Sequence, residues 1–301
     1  MKLLYLALVL ISALLVAFDL VASELAMRIY STDPIVMAGI PTFVGGIVLV
    51  AYAFRKDRSF FRKYSRSDSL KLVGNIISGV IGVFLTFDSV AKIGASKAML
   101  LGSNTTEAIF IIVLSFFLLK ERLSRIEIIG SLIILIGVSS ITFNPSSLSF
   151  EFGIGEIEIV VASLSYAASV IIATDLLKRV NLTKLVAISA FFQGGILMLF
   201  LLLTGTSFQF QTEVWFIIIL TGGFSGVAFL MYALGLKCIG AALTSVVYSF
   251  VGIFSLILGM LFMAAMPGLT LIFPPSLILS SLGGIIAIFG VYILNRYNGK
   301  N

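Results

Sequence analysis

Glu107 is the residue whose chemistry first needs an explanation. It follows Ser103 by four residues and Asn104 by three, within an otherwise apolar segment, 96–119. In a helix those spacings put all three on one face. Glu107 lies about 11 residues, roughly 16 Å, into the segment, which places it near the middle of a bilayer. A carboxyl at that depth is expensive to keep charged and is a functional candidate by default. It is suited to binding and releasing a proton, holding a coupling cation or anchoring a cationic solute. The structural alternative is a protonated carboxyl hydrogen-bonded between helices.

Asp19 is the second such group. Ser12, Val16, Asp19, Ser23 and Ala26 form a small, polar stripe at helical spacing, which suits either a helix facing a cavity or tight helix packing. Tyr166, Gln193, Tyr232 and Tyr248 fall near the middle of other apolar segments. With Ser103, Asn104 and Glu107 they would complete an amphiphilic pocket, though each alone serves equally as a helix–helix hydrogen-bond partner. Glu24, Asp88 and Asp175 lie at segment ends and read as interfacial; Asp175 precedes Lys178 and Arg179 at ion-pair spacing. Lys92 and Lys97 flank a turn, and Lys97 is expected to snorkel outward, with anion binding as the alternative. His is absent and Cys238 is the single cysteine. That removes His-based acid–base chemistry, a Cys/His metal site and an internal disulfide, so neither metal nor cofactor is expected. No G-x-G-D stretch and no aspartate-rich pair points to an intramembrane protease or prenyl transferase, so the chain is not read as an enzyme.

These residues need a frame of membrane-spanning helices. Hydrophobic residues are 59% of the 301, and charged residues only 11%, against about 25% charged in soluble domains. A crossing takes about 20 mostly apolar residues. Ten fit: 3–25, 34–54, 70–91, 96–119, 126–143, 156–177, 184–204, 214–235, 241–265 and 275–295. Met1-Lys2 with Val21-Ala22-Ser23 resembles a signal peptide and its cleavage site, but the apolar run is long for one and reads as the first span. Asn104-Thr105-Thr106 and Asn181-Leu182-Thr183 read as chance glycosylation triplets. With both termini in the cytoplasm, seventeen of the 20 Lys and Arg residues fall on cytoplasmic segments. Only Arg28, Lys92 and Lys97 fall outside, an asymmetry that sets the orientation. The basic charge thus serves topology, and no nucleic acid is expected as a partner.

A weak repeat runs through the chain at an offset near 150 residues. Ser23-Glu24-Leu25-Ala26-Met27-Arg28-Ile29 echoes Thr174-Asp175-Leu176-Leu177-Lys178-Arg179-Val180. Gly79-Val80-Ile81-Gly82-Val83 echoes Gly223-Phe224-Ser225-Gly226-Val227, and Ile93-Gly94-Ala95 echoes Ile239-Gly240-Ala241. Five spans per half is an odd number, so the second half would enter the membrane from the opposite side. The expected fold is therefore an all-α membrane protein of ten helices in two inverted five-helix repeats, 1–149 and 150–301. Inverted repeats recur in transporters that bind solute near the midplane and alternate access between the two sides. The glycine pairs Gly45-Gly46, Gly194-Gly195, Gly222-Gly223 and Gly283-Gly284 are expected to serve close helix packing.

Phe117-Leu118-Leu119-Lys120-Glu121-Arg122-Leu123-Ser124, then Gly130 and Leu135-Ile136-Gly137-Val138, resembles the drug/metabolite transporter superfamily in its EamA-type branch. So do the small-residue turn Ile93-Gly94-Ala95-Ser96-Lys97-Ala98 and the turn Asp33-Pro34. Two features depart from that pattern. Asn104-Thr105-Thr106-Glu107-Ala108 stands where family members often carry a proline, and Met266-Pro267-Gly268 stands where a second E-R-L would fall. The resemblance implies a secondary-active carrier in the plasma or inner membrane, with spans 3, 4, 8 and 9 facing a central cavity. It would move a small metabolite or drug-like solute, with proton-coupled export as one mode; electroneutral exchange and a non-transporting scaffold or channel are the alternatives. Its partners would be the solute, the lipid bilayer and protons, and it would act as a monomer or homodimer.

Overall fold

The computed structural model describes residues 2–56, 64–102, 106–107, 109–111, 113–114, 125–150, 152–206, 210–239, 244, 247–266 and 268–298. Its helices are α1 (Lys2–Ile29), α2 (Pro34–Lys56), α3 (Arg66–Ile93), α4 (Ala95–Leu101), α5 (Arg125–Thr142), α6 (Ile154–Leu177), α7 (Leu182–Leu203), α8 (Thr212–Cys238), α9 (Val251–Ala265) and α10 (Leu277–Asn298). An apolar helix satisfies its backbone within itself, which lets it stand in lipid. Six of these, α1, α2, α3, α6, α7 and α8, are long and apolar enough to cross a bilayer; Ile128–Thr142, Val251–Ala265 and Leu277–Ile293 are shorter apolar stretches. The helix ends differ from the expected span edges by a few residues. At 28 residues, α1 rises about 42 Å, more than a hydrocarbon core needs.

Burial runs opposite to that of a soluble protein. Ile278, Phe216, Ile136 and Leu282 are more than half exposed, while Ser12, Asp19, Ser23, Asn75, Ser163 and Gln193 are buried. Large apolar groups outside and small or polar groups inside suit a lipid-bathed bundle. The chain is a multi-pass membrane protein.

Local signals set the boundaries. Ser65 caps α3 by accepting from the Asp68 N–H at 3.1 Å. Asn181, in one of the glycosylation-like triplets, caps α7 by accepting from the Thr183 N–H at 2.9 Å. Between α5 and α6 the chain forms a two-stranded hairpin that pairs Phe143 with Phe150 and Asn144 with Ser149. The sequence reading gave Phe143 to a helix; here its ring lies 5.4 Å from that of Phe150.

The helix packing has a symmetry of its own. α2 packs on α7, α5 on α10 and α4 on α9. α3 packs on α6 as α1 packs on α8, and α2 packs on α8 as α3 packs on α7. Exchanging each helix for the one five places away turns this list into itself. Glycines set the closest approaches. A Cβ on Gly45 would meet the Gly222 carbonyl oxygen at 2.8 Å, and one on Gly46 would meet the Phe191 Cα at 2.6 Å. On α10, a Cβ on Gly290 would meet the Gly130 carbonyl oxygen of α5 at 2.9 Å. Two members of the glycine pairs do not follow this rule: Gly223 has nothing within 4 Å, and a Cβ on Gly195 would meet only the Phe43 ring at 3.9 Å.

Candidate functional site

The crossings leave a cavity of about 210 Å³ among the helices. α1 contributes Val16, Asp19 and Leu20; α3 contributes Gly79, Val83, Thr86 and Phe87. α6 contributes Ile159, Ser163, Tyr166, Ser169 and Val170, and α8 contributes Ser225, Gly226, Phe229 and Tyr232. Thr42 and Gly45 of α2, Met99 and Gly102, Ala190 and Gln193 of α7, Glu107 and Tyr248 complete the wall. Six of the residues singled out from the sequence thus meet at one place: Asp19, Glu107, Tyr166, Gln193, Tyr232 and Tyr248. Ser103 and Asn104 lie outside the described residues. The wall is also broader than the resemblance implied, since α1, α2, α6 and α7 share it with spans 3, 4, 8 and 9.

Each group has a local reason for its place. Asp19 is 4% exposed and accepts a 3.3 Å hydrogen bond from the Ser23 hydroxyl one turn on. Ser12, on the same stripe, donates to the Ala228 carbonyl of α8 at 2.7 Å. The stripe therefore faces the cavity at Asp19 and packs a helix at Ser12. Glycines on α3 make room for two of the other groups. A Cβ on Gly82 would stand 2.8 Å from the Tyr166 ring, and one on Gly79 would overlap the Gln193 amide. The Thr86 hydroxyl reaches the Tyr166 hydroxyl at 3.4 Å. Tyr232 and Tyr248 lie against each other with ring centroids 4.6 Å apart. The amide of Gln193 is 6% exposed and makes no hydrogen bond among the described residues.

Two features of the site went unread in the sequence. At Gly102 and Thr106 the chain winds in wider, π-type turns, and the Thr106 hydroxyl donates to the Leu101 carbonyl five residues back. Such widening frees backbone groups and turns side chains out of helical register, and it recurs at functional sites. The signal was the run Asn104-Thr105-Thr106, which stands in place of a proline. The second feature is Asn75, 4% exposed. Its amide donates to the Ser169 hydroxyl at 2.8 Å and the Ser169 carbonyl at 3.0 Å, and its carbonyl accepts from Ser189 at 2.8 Å. This knot joins α3, α6 and α7 beside the cavity. One Asn in an apolar span with two distant serines gives no spacing pattern by which to find it.

The charged residues at the helix ends depart from expectation at two points. Lys97 does not snorkel outward. It is 5% exposed and pairs with Glu156 at 2.5 Å, because α4 begins beneath the first turn of α6. Glu24 is not interfacial but 1% exposed. It accepts the Ala95 N–H at 2.8 Å and the Ile272 N–H at 2.9 Å, which ties α1 to the start of α4 and to the strap before α10. Gly94, at φ +80, permits the approach, since a Cβ there would press on Ile272. Asp88 and Glu158 both pair with Lys92. At the other end, Asp175 pairs with Arg179 at 2.9 Å, as its spacing predicted, and also with Lys71 at 2.5 Å. Among the described residues no cluster suited to a metal occurs.

The sequence profile of the EamA-like transporter family matches twice, over residues 3–143 and 153–296. The chain belongs to the EamA-like transporter family. This EamA-like chain is 28% identical over 150 residues to an uncharacterised transporter of Synechocystis sp., an overlap of 46% of this chain and 42% of that protein. The chain thus spans less than half the length of that relative. A solved crystal structure of a protein superposes with a TM-score of 0.64 at 20% identity, covering 96% of this chain and 99% of the other. At that identity the likeness concerns the fold.

Proposed function

We propose that this chain is a secondary-active carrier that moves a small solute across the plasma or inner membrane by alternating access. Its ten helices form two inverted repeats, 1–149 and 150–301, with both termini in the cytoplasm. The cavity that holds Asp19 and Glu107 is the solute site, and Glu107 exchanges protons there. The observation that carries the reading is the origin of the wall. α1, α2, α3 and α4 from the first half and α6, α7 and α8 from the second all reach one pocket, the one that holds Asp19 and Glu107. A site shared in this way opens and closes when one half rocks against the other. The packing that maps onto itself under a five-helix exchange supports the repeat, and the likeness to an uncharacterised transporter of Synechocystis supports carriage.

The test is comparative mass spectrometry of medium and cytosol from cells expressing the wild type, Glu107→Gln or neither. A solute that shifts with the wild type and not with Glu107→Gln supports carriage and the role of the carboxyl. An equal shift with both keeps the carrier and removes Glu107 from coupling. No shift at matched expression refutes carriage and favours a scaffold.

A further inference from the structure

We propose that the hairpin between α5 and α6 is a lipid-docking tongue. The side chains of Leu148, Phe150 and Phe152 lie in the membrane at the boundary between headgroups and acyl chains, and they pin the joint between the two profile-matched segments to that surface. The hairpin falls in the gap between those segments, 3–143 and 153–296, so it is a feature of this chain that the family profile leaves undescribed.

The flanking helices set its depth. α5 runs 18 residues from Arg125, a rise of about 27 Å. α6 runs 24 residues to Leu177, next to Lys178 and Arg179, a rise of about 36 Å. Those basic residues mark the opposite membrane surface, and the hydrocarbon core is about 30 Å thick. The hairpin leaves α5 short of the far edge of that core and enters α6 beyond it, which sets it across the boundary itself.

Continuity names the occupant. Ile157, Val161 and Leu164 form an exposed row along α6 at helical spacing, the face a spanning helix turns to lipid. Ile154, Phe152, Phe150 and Leu148 carry that row on into the hairpin, each more than half exposed. Leu148 adds a separate sign. Its φ of +51 lies in the left-handed region that side chains other than glycine disfavour, and at 79% exposed it gains little packing from the protein to offset that. Acyl chains supply the missing contact.

The polar groups of the hairpin are spent on one another. Phe143 pairs with Phe150 and Asn144 with Ser149, the Asn144 Oδ1 accepts the Ser146 N–H at 3.0 Å, and the Ser147 and Ser149 hydroxyls share a 2.7 Å bond. Polar groups already bonded cost less to remove from water. Residues 143–154 contain no Lys or Arg, so the attraction is apolar rather than a pull on headgroup phosphates.

The test places single tryptophans in the full chain, reconstituted in phosphatidylcholine vesicles. Trp215 is the one native tryptophan, so Leu148→Trp, Phe150→Trp and Phe152→Trp are each made on a Trp215→Phe background. Three positions are used so that a loss of folding at one leaves the others to decide. The expected result is emission shifted to the blue of N-acetyltryptophanamide, protected from aqueous acrylamide, and quenched more by lipids brominated near the headgroup than by lipids brominated near the chain end. Free quenching by acrylamide with none by either lipid puts the hairpin in water and overturns the proposal. Protection from acrylamide and from both lipids means that protein, such as a second copy of the chain, covers the tongue, and overturns lipid as the occupant. Stronger quenching by the chain-end bromine overturns the boundary placement.

Discussion

The Lys97–Glu156 pair supplies a test in which the energetics have a sign, a size and an order. The side chains are 6% and 4% exposed, with 2.5 Å between Nζ and Oε1. Breaking such a pair by removing one member costs about 3–5 kcal/mol, because the survivor keeps its desolvation penalty. The two members are not equivalent here. Lys97 is the third residue of α4, at the positive end of a helix, where a cation is disfavoured. Glu156 is the third residue of α6 and accepts the Gly153 N–H at 2.8 Å, so its charge stays favoured by cap and dipole without Lys97. The cap is worth about 1 kcal/mol and the dipole about 0.3–1 kcal/mol. Glu156→Met should therefore cost the full amount, and Lys97→Met about 1–2 kcal/mol less. The double variant should recover most of the loss, because two apolar chains replace a pair whose burial was itself expensive. Equilibrium unfolding in mixed micelles, followed by circular dichroism, gives all four corners of the cycle. Additive losses in the double variant, or Lys97→Met as the costlier single change, would refute the reasoning.

Two further outcomes separate the packing from the topology. Gly222→Ala would set a Cβ 2.8 Å from the Pro41 carbonyl oxygen, whereas Gly223→Ala meets nothing within 4 Å. In the same unfolding assay the first should cost about 1–3 kcal/mol, and the second should be neutral or gain up to about 1 kcal/mol from helix propensity; equal effects would remove the α2–α8 contact as the cause. Cys238 is exposed at the end of α8. On the proposed orientation a membrane-impermeant maleimide should label it in inside-out vesicles and not in intact cells, and labelling of intact cells would reverse the topology.

Long apolar runs made the helices readable, because a crossing segment must satisfy its own backbone and expose apolar side chains. Asp19, Glu107, Gln193 and the three tyrosines could be found for the same reason: a polar residue deep in an apolar run stands out against its neighbours. What could not be read was which polar group meets which. Glu24 looked interfacial because it lies near the end of a span, but its partners, Ala95 and Ile272, come from turns 71 and 248 residues away. Lys97 looked free to reach solvent, since nothing local showed that Glu156 would lie over it. Asn75 was silent because its two serines lie 94 and 114 residues on. In each case the partner is fixed by how whole helices cross, which a local pattern does not encode.

The glycines join the two levels. Gly79 and Gly82 suggested a repeat in the sequence, and in the fold they are the space taken by Gln193 and Tyr166. Gly45 and Gly226 line the cavity, and they also bring the backbones of α2 and α8 together: a Cβ on Gly226 would stand 3.0 Å from the Gly45 carbonyl oxygen. Small residues are therefore doing two things at one depth: they let helices from different halves touch, and they leave volume between the contacts for polar side chains. A mutation that fills one of these positions acts on packing and on the pocket together. For that reason the charge-neutral exchanges at Asp19 and Glu107, which keep shape and remove charge, are the sharper probes of what the pocket binds.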